Sequence, residues 1–272
     1  MALGFRRHRS YTVTEALRWL GLAVSLGVAA TLAPAWLGRH CGKKRVDMRT
    51  NFVSEMQGTS DDLVAMADAV HDAIARAGKA LLTSDHLLAQ QVIADDVKID
   101  QMQRALDERC VHIMAQQAPV ATDLRTLVAA LRMSATLERM GDLARHVAEV
   151  ARGRYPDPAL QPEVAPIFEK MVAAAVDAAG EVTKLLRSRD LELAEAIEHD
   201  DYILDNLHLQ TFEVLISPEW KGSALETIDI TLLGRFLERF GDHATSIARR
   251  IVFLVTGEVQ DRKQHPDING WH

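Results

Sequence analysis

Disulfide chemistry has almost nothing to work with in this chain: 272 residues hold two cysteines, Cys41 and Cys110, far apart and in no metal-type spacing. That excludes a disulfide framework and points to a reducing compartment. Aromatic residues make up only 5%, so cores must be built from Ala, Leu, Val and Met, which favours helix packed on helix. Proline is absent from Asp61 to Ala118, where Gly78 is the only glycine. Sustained β-branched alternation is missing as well, which removes the case for strands. There is no Gly-rich phosphate loop, no GxGxxG after a strand, no Ser or Cys nucleophile arrangement and no Glu-x-x-His motif. The first two absences exclude the common nucleotide folds. The last counts against a buried di-iron oxidase of the ferritin-like kind. Nothing in the residues argues for catalysis.

What is present is a globular composition, 48% hydrophobic and 25% charged, with an uneven charge distribution. Residues 1–47 carry eight Lys/Arg against two acids, leaving 23 Lys/Arg against 36 Asp/Glu for residues 48–272. An acidic body is a poor nucleic-acid binder, because phosphate contacts need clustered cations. It suits metal ions or a basic protein surface. In the basic segment, twenty uncharged residues run from Trp19 to Gly38, and Ala33-Pro34-Ala35 resembles a signal-cleavage site. Basic residues flank both ends, so the charge gives no orientation. Two readings stand: residues 1–47 are translated upstream sequence with Met48 as the true start, or they form a hydrophobic anchor or signal.

Prolines and caps mark the rest into helices. The pattern predicts helices over about 51–80, 85–117 and 120–153, a proline-rich linker through Pro156, Pro158, Pro162 and Pro166, then helices over about 164–187, 190–215 and 223–257. Thr83-Ser84-Asp85 and Ser188-Arg189-Asp190 supply turn and N-cap chemistry. The expected fold is all-α: two tandem three-helix bundles over 48–155 and 163–258, followed by a loose tail over 259–272.

The two halves are copies. Leu137-Glu-Arg-Met-Gly-Asp142 returns as Leu237-Glu-Arg-Phe-Gly-Asp242, and Asp95-Asp96-Val-Lys-Ile-Asp100 corresponds to Asp200-Asp201-Tyr-Ile-Leu-Asp205. The second-helix elements are offset by 105 residues and the third-helix elements by 100, so one connection is five residues shorter in the second copy. At about 100° per residue, Asp242 lies about 40° from Glu238 on one helix face, away from the apolar stripe. Glu138 and Asp142 behave alike, so these helix-three acids are expected on the outside of their bundles. Asp96/Asp100 and Asp201/Asp205 are again four residues apart, at the margin of the packed face. If helices two and three of each unit are neighbours, four carboxylates face one shallow groove. Such a group repels itself unless a cation joins it, and carboxylate-only donors suit Mg, Mn, Ca or Fe. The blander account is a solvated face, with Arg139 and Arg239 pairing locally with neighbouring acids. Four such pairs in register across a duplication favour metal.

Together with Ala118-Pro-Val-Ala-Thr-Asp-Leu-Arg125, these elements resemble the PhoU phosphate-signalling proteins over about residues 48–258. The resemblance implies cytoplasmic proteins, some peripheral at the inner face of the plasma membrane, often homodimeric and without enzymatic activity. It implies multinuclear metal clusters of iron or zinc, held here by Asp96, Asp100, Glu138 and Asp142 in the first unit and by Asp201, Asp205, Glu238 and Asp242 in the second. It also implies negative regulation of phosphate uptake and of the phosphate-starvation response, as an adaptor between the ATPase of a Pst-type phosphate ABC transporter and a sensor histidine kinase. Two other functions stay open: a metal-dependent helical-bundle oxidase or phosphohydrolase using the carboxylates, and a structural helical protein whose acids bind basic partners.

Overall fold

A computed structural model describes residues 35–258, with side chains from residue 51 onward. Residues 1–34, which include most of the uncharged run and Ala33-Pro34 of the cleavage-like motif, and the tail 259–272 lie outside the described residues. Six helices follow in order: α1 (Ala35–Thr83), α2 (His86–Gln117), α3 (Thr122–Arg154), α4 (Ala165–Ser188), α5 (Leu191–Leu215) and α6 (Ala224–Thr256). Five of the six match the expected spans to within two residues. The exception is α1, which begins at Ala35 rather than near residue 51. The chain divides into two compact units, Met1–Asn51 and Phe52–His272. Within the first, the described backbone is helical from Ala35 onward. Everything below concerns the second.

The helix boundaries have local causes. Asp85 caps α2, its carboxylate accepting from Leu87 N (3.1 Å) and Leu88 N (3.0 Å). Asp190 does the same for α5 through Glu192 N at 2.9 Å. At α6 a full capping box forms: Ser223 Oγ accepts from Glu226 N, and Glu226 Oε2 accepts from Ser223 N at 2.6 Å. Gly257, at φ +80°, closes α6 in the left-handed conformation that glycine adopts without strain.

Within each half, helix two lies against helix three, α2 on α3 and α5 on α6. The two halves are joined by α3 packing on α6. They run antiparallel: Arg125 near the start of α3 stacks 5.5 Å over the Phe253 ring near the end of α6. Further along, the His146 and Phe236 rings meet at 5.1 Å, and Arg154 pairs with Asp229 at the opposite end. The first helices of the two copies also touch, through Arg187 with Asp68 (2.6 Å) and Gly78 against Val172. Third helices therefore carry apolar residues for their own copy and for the other. Leu137, Met140, Leu237 and Phe240 are all fully buried, each such side chain contributing about 1.5–3 kcal/mol of hydrophobic stabilisation. A shared core holds the third helices, and with them the Glu-Arg-x-Gly-Asp elements, in fixed register against helix two.

Candidate functional site

All eight predicted carboxylates fall along the two helix-two/helix-three seams. The close approach depends on Gly141 and Gly241. A Cβ on Gly141 would meet Ile99 Cδ1 at 3.0 Å and Asp96 Oδ1 at 3.5 Å. A Cβ on Gly241 would meet Leu204 Cδ1 at 2.8 Å and Asp201 Oδ1 at 3.2 Å. The missing side chain is thus used by an aliphatic residue and a carboxylate of the facing helix. That approach also corrects the expectation that the acids face outward. Helix two covers the helix-three acids, leaving the side chains of Glu138, Asp142 and Glu238 only 23%, 21% and 12% exposed, while Asp96, expected at the margin of the packed face, is 14% exposed. Asp242 remains exposed.

In the first repeat an arginine sits among the acids. Arg145 donates from Nε to Asp96 Oδ2 (2.8 Å), from Nη2 to Asp142 Oδ1 (2.9 Å) and from Nη1 to Glu149 Oε1 (2.7 Å). Burial works against its charge, but the bonds to Asp142 and Glu149 outweigh it and hold its pKa above the ordinary value. Arg139 adds a 3.0 Å bond to Asp142 and a 3.5 Å contact with Glu138. Asp100 lies 3.8 Å from Arg104. Burial still raises the pKa of Asp96, opposed by Arg145 and reinforced by Asp142 and Asp100. Glu138 is also raised, by burial first and then by Asp142.

The second repeat is built differently. Thr245 stands where the first copy has Arg145, and its hydroxyl donates to the Gly241 carbonyl at 3.2 Å. Glu238 Oε1 accepts from Arg235 at 2.6 Å. Glu238 Oε2 is buried and has no hydrogen-bond partner. Burial pushes the Glu238 pKa up to about 7; Arg235 opposes the shift, while Asp242, Asp205 and Asp201 add to it. A helix-bridging arginine reappears one turn further along α6, where Arg249 contacts Glu198 at 3.5 Å.

Beside each glycine the seam opens into a groove. In the first repeat it measures about 130 Å³ and is lined by Asp72, Arg76, Asp95, Asp96 and Gly141. Arg76 spans it, bonding Asp72 (3.0 Å) and Asp95 (2.9 Å). In the second it measures about 450 Å³, lined by Asp177, Glu181, Asp200, Asp201 and Gly241 together with the cations Lys170 and Lys184. Glu181 occupies the Arg76 position, with its pKa raised by burial and by Asp200. The second copy thus replaces Arg76 by an acid and Arg145 by a neutral hydroxyl. Sequence reasoning missed both exchanges, although applying the 105- and 100-residue offsets position by position exposes them.

Among the described residues, no group of three or more His, Cys, Asp or Glu side chains is arranged to hold a metal ion as it stands. The chemistry of the donors nevertheless fits a hard cation better at one seam. In the second repeat an orphaned, buried Glu238 oxygen sits amid like charges. In the first, a guanidinium already bridges the donors.

The described sequence matches the PhoU domain twice, over residues 63–151 and 168–251. The chain belongs to the PhoU family. Relatives include the phosphate-specific transport system accessory protein PhoU homolog 2 of Mycobacterium tuberculosis, 42% identical over 77% of this chain and 99% of that protein. The PhoU homolog of Pseudomonas aeruginosa is 32% identical over 76% of this chain and 86% of its own length. Among solved structures, PhoU from Pseudomonas aeruginosa superposes with a TM-score of 0.70 at 29% identity, covering 76% of this chain and all of that one. PhoU from Streptococcus pneumoniae shares the fold at 22% identity, with a TM-score of 0.70. Two PhoU repeats in one all-α chain agree with the duplicated architecture expected from the sequence.

Proposed function

We propose that this chain is an accessory protein of phosphate-specific transport that restrains phosphate uptake and the phosphate-starvation response. It acts without catalysis, as a cytoplasmic homodimeric adaptor between the ATPase of a Pst-type ABC transporter and a sensor histidine kinase. The observation that carries this reading is the pair of PhoU repeats, together with mycobacterial relatives that are phosphate-transport accessory proteins by name. Among the described residues no helix is long and apolar enough to cross a membrane, so the described helices would work beside a transporter rather than within the bilayer.

The carboxylate seams give the adaptor its metal-binding capacity. Asp201, Asp205, Glu238 and Asp242 are the donors whose chemistry best fits a cation such as iron or zinc, with Mg and Mn as further candidates. Asp96, Asp100, Glu138 and Asp142 form the matching set. A metal there would neutralise acids that burial and mutual repulsion destabilise, stiffening helix two against helix three on a face available to a partner. Deletion of the gene tests the regulatory role. Phosphate-starvation genes should then be expressed in phosphate-rich medium, and complementation should silence them. Normal repression in a deletant that has no second PhoU gene overturns the proposal.

A further inference from the structure

We propose that the outward seam between α3 and α6, a stripe of arginines and half-buried rings, is a docking surface for an acidic amphipathic helix of a partner protein. This rests on the adaptor role proposed above and names the surface by which the chain holds a partner.

Spacing lays out the stripe. Arg125, Arg132, Arg139 and His146 follow one another at intervals of seven along α3, as Phe236, His243 and Arg250 do along α6. A seven-residue interval keeps each set on one helix face. The two sets meet because the helices run antiparallel: Arg125 stacks on Phe253, and the His146 ring meets that of Phe236. Between these contacts lie His243 and Arg250, whose pKa values are lowered first by burial. The charges of Arg239 and Arg139 lower His243 further, and that of Arg132 does the same to Arg250.

What the stripe lacks is negative charge. Arg139 pairs with Asp142, and Arg249 with Glu198, but among the described residues Arg132, Arg239 and Arg250 form no ion pair. The Nε atoms of Arg125 and Arg250 are buried without a hydrogen-bond acceptor. Gathered cations without a counter-charge repel one another, and they stand on a body with 36 acids against 23 Lys/Arg over residues 48–272. Charge complementarity selects an anionic occupant. Val128 and Leu232, 37% and 42% exposed, stand on the same two faces and add apolar contact beside the cations.

Shape decides which anion. From Arg125 to His146 the stripe runs about 32 Å, far longer than a single phosphate group. Asp142 and Asp242 follow Arg139 and Arg239 by three residues, about 60° round each helix towards α2 and α5. An anionic membrane pressed flat on the seam would meet acids at both margins. A helix about 10 Å wide and about 20 residues long fits between them.

The probe is a synthetic helical peptide of about 20 residues, with a stripe of Glu beside a stripe of Leu. Its binding to the full chain is read by fluorescence anisotropy at fixed ionic strength, and thermal unfolding confirms that each variant is folded. Arg132→Glu with Arg239→Glu, both at exposed side chains, should weaken binding by roughly tenfold or more. Arg132→Lys with Arg239→Lys should retain most of it, and Leu232→Ser should weaken it by about threefold. Lys79→Glu with Arg152→Glu makes the same change of charge away from the stripe and should leave binding unchanged. Equal weakening by the two charge reversals overturns the proposal. So does release of the peptide by inorganic phosphate beyond that by chloride of equal ionic strength, or capture of phosphatidylglycerol vesicles in place of the peptide. In a deletant whose phosphate-starvation genes are expressed in phosphate-rich medium, the wild type should restore silence and Arg132→Glu with Arg239→Glu should not. Full silencing by that variant overturns the docking surface and leaves the regulatory reading standing. Normal repression in the deletant itself overturns the regulatory reading and, with it, the docking of a partner in that role.

Discussion

Between α2 and α3 the guanidinium of Arg145 touches Asp96, Asp142 and Glu149, whereas between α5 and α6 the same position holds Thr245 and Glu238 keeps a buried oxygen without a partner. The two seams share their glycine, their acid spacing and their apolar backing. They differ in how negative charge is balanced. In the first copy one guanidinium bridges α2 and α3, whereas in the second Arg235 holds Glu238 within α6 and Arg249 reaches across to Glu198 one turn further along. Duplication here preserved the scaffold while the arginine that bridges its helices changed position.

The largest expected effect that bears on this difference is a pH dependence confined to the second seam. The folded-state pKa of Glu238, raised from 4.5 to about 7, means that the folded chain holds more protons than the unfolded chain between those values. Stability of the metal-free protein should therefore fall as pH rises through that window, by on the order of 3 kcal/mol. Glu238→Gln should remove this slope, read as the difference between wild-type and variant denaturation free energies at pH 4.5 and 7.5 in chelator. Taking the difference cancels the opposing contributions of His208 and His243, whose pKa values burial lowers. Parallel curves for the two proteins would remove Glu238 as the responsive group.

Next in size is the arginine itself. Arg145→Ala should destabilise the metal-free protein by about 2 kcal/mol, since it leaves Asp96 and Asp142 as uncompensated, half-buried charges. Arg235→Ala, which removes a guanidinium that is itself 53% exposed, should cost less, about 1 kcal/mol. Urea denaturation at neutral pH compares them, and equal costs would mean that Arg145 is no more a structural ion than Arg235. The smallest effect concerns the glycines. Gly241→Ala places a Cβ 2.8 Å from Leu204 Cδ1, closer than the 3.0 Å contact with Ile99 at Gly141. Overpacking should outweigh the gain in helix propensity at the second seam, for a net loss of about 1 kcal/mol. Gly141→Ala should be nearly neutral, and thermal melts of the two variants give the order.

Much of this was legible in the chain. Proline and cap positions placed five helices because Asp85, Asp190 and Ser223 satisfy orphaned backbone N–H groups wherever the rest of the protein lies. The repeated acids marked the seams because a spacing of four keeps two carboxylates on one helix face. The expectation that the helix-three acids lie outside the bundle held for Asp242 but failed for Glu138, Asp142 and Glu238, because a helical wheel carries no information about the neighbouring helix, which here covers them. Arg125 is a similar case: it stacks on Phe253, 128 positions away in the chain, a contact that no local pattern around α3 announces.

The sequence by itself determined the duplication, the all-α class and the eight candidate carboxylates, since periodicity, capping and repeated spacing are local properties of the chain. Tertiary structure alone decided that Arg145 bridges the first seam while one oxygen of Glu238 is buried without a hydrogen bond in the second. Charge balance and burial depend on which side chains meet across helices, and pairs such as Asp96 with Arg145, 49 residues apart, come into contact only when α2 and α3 pack.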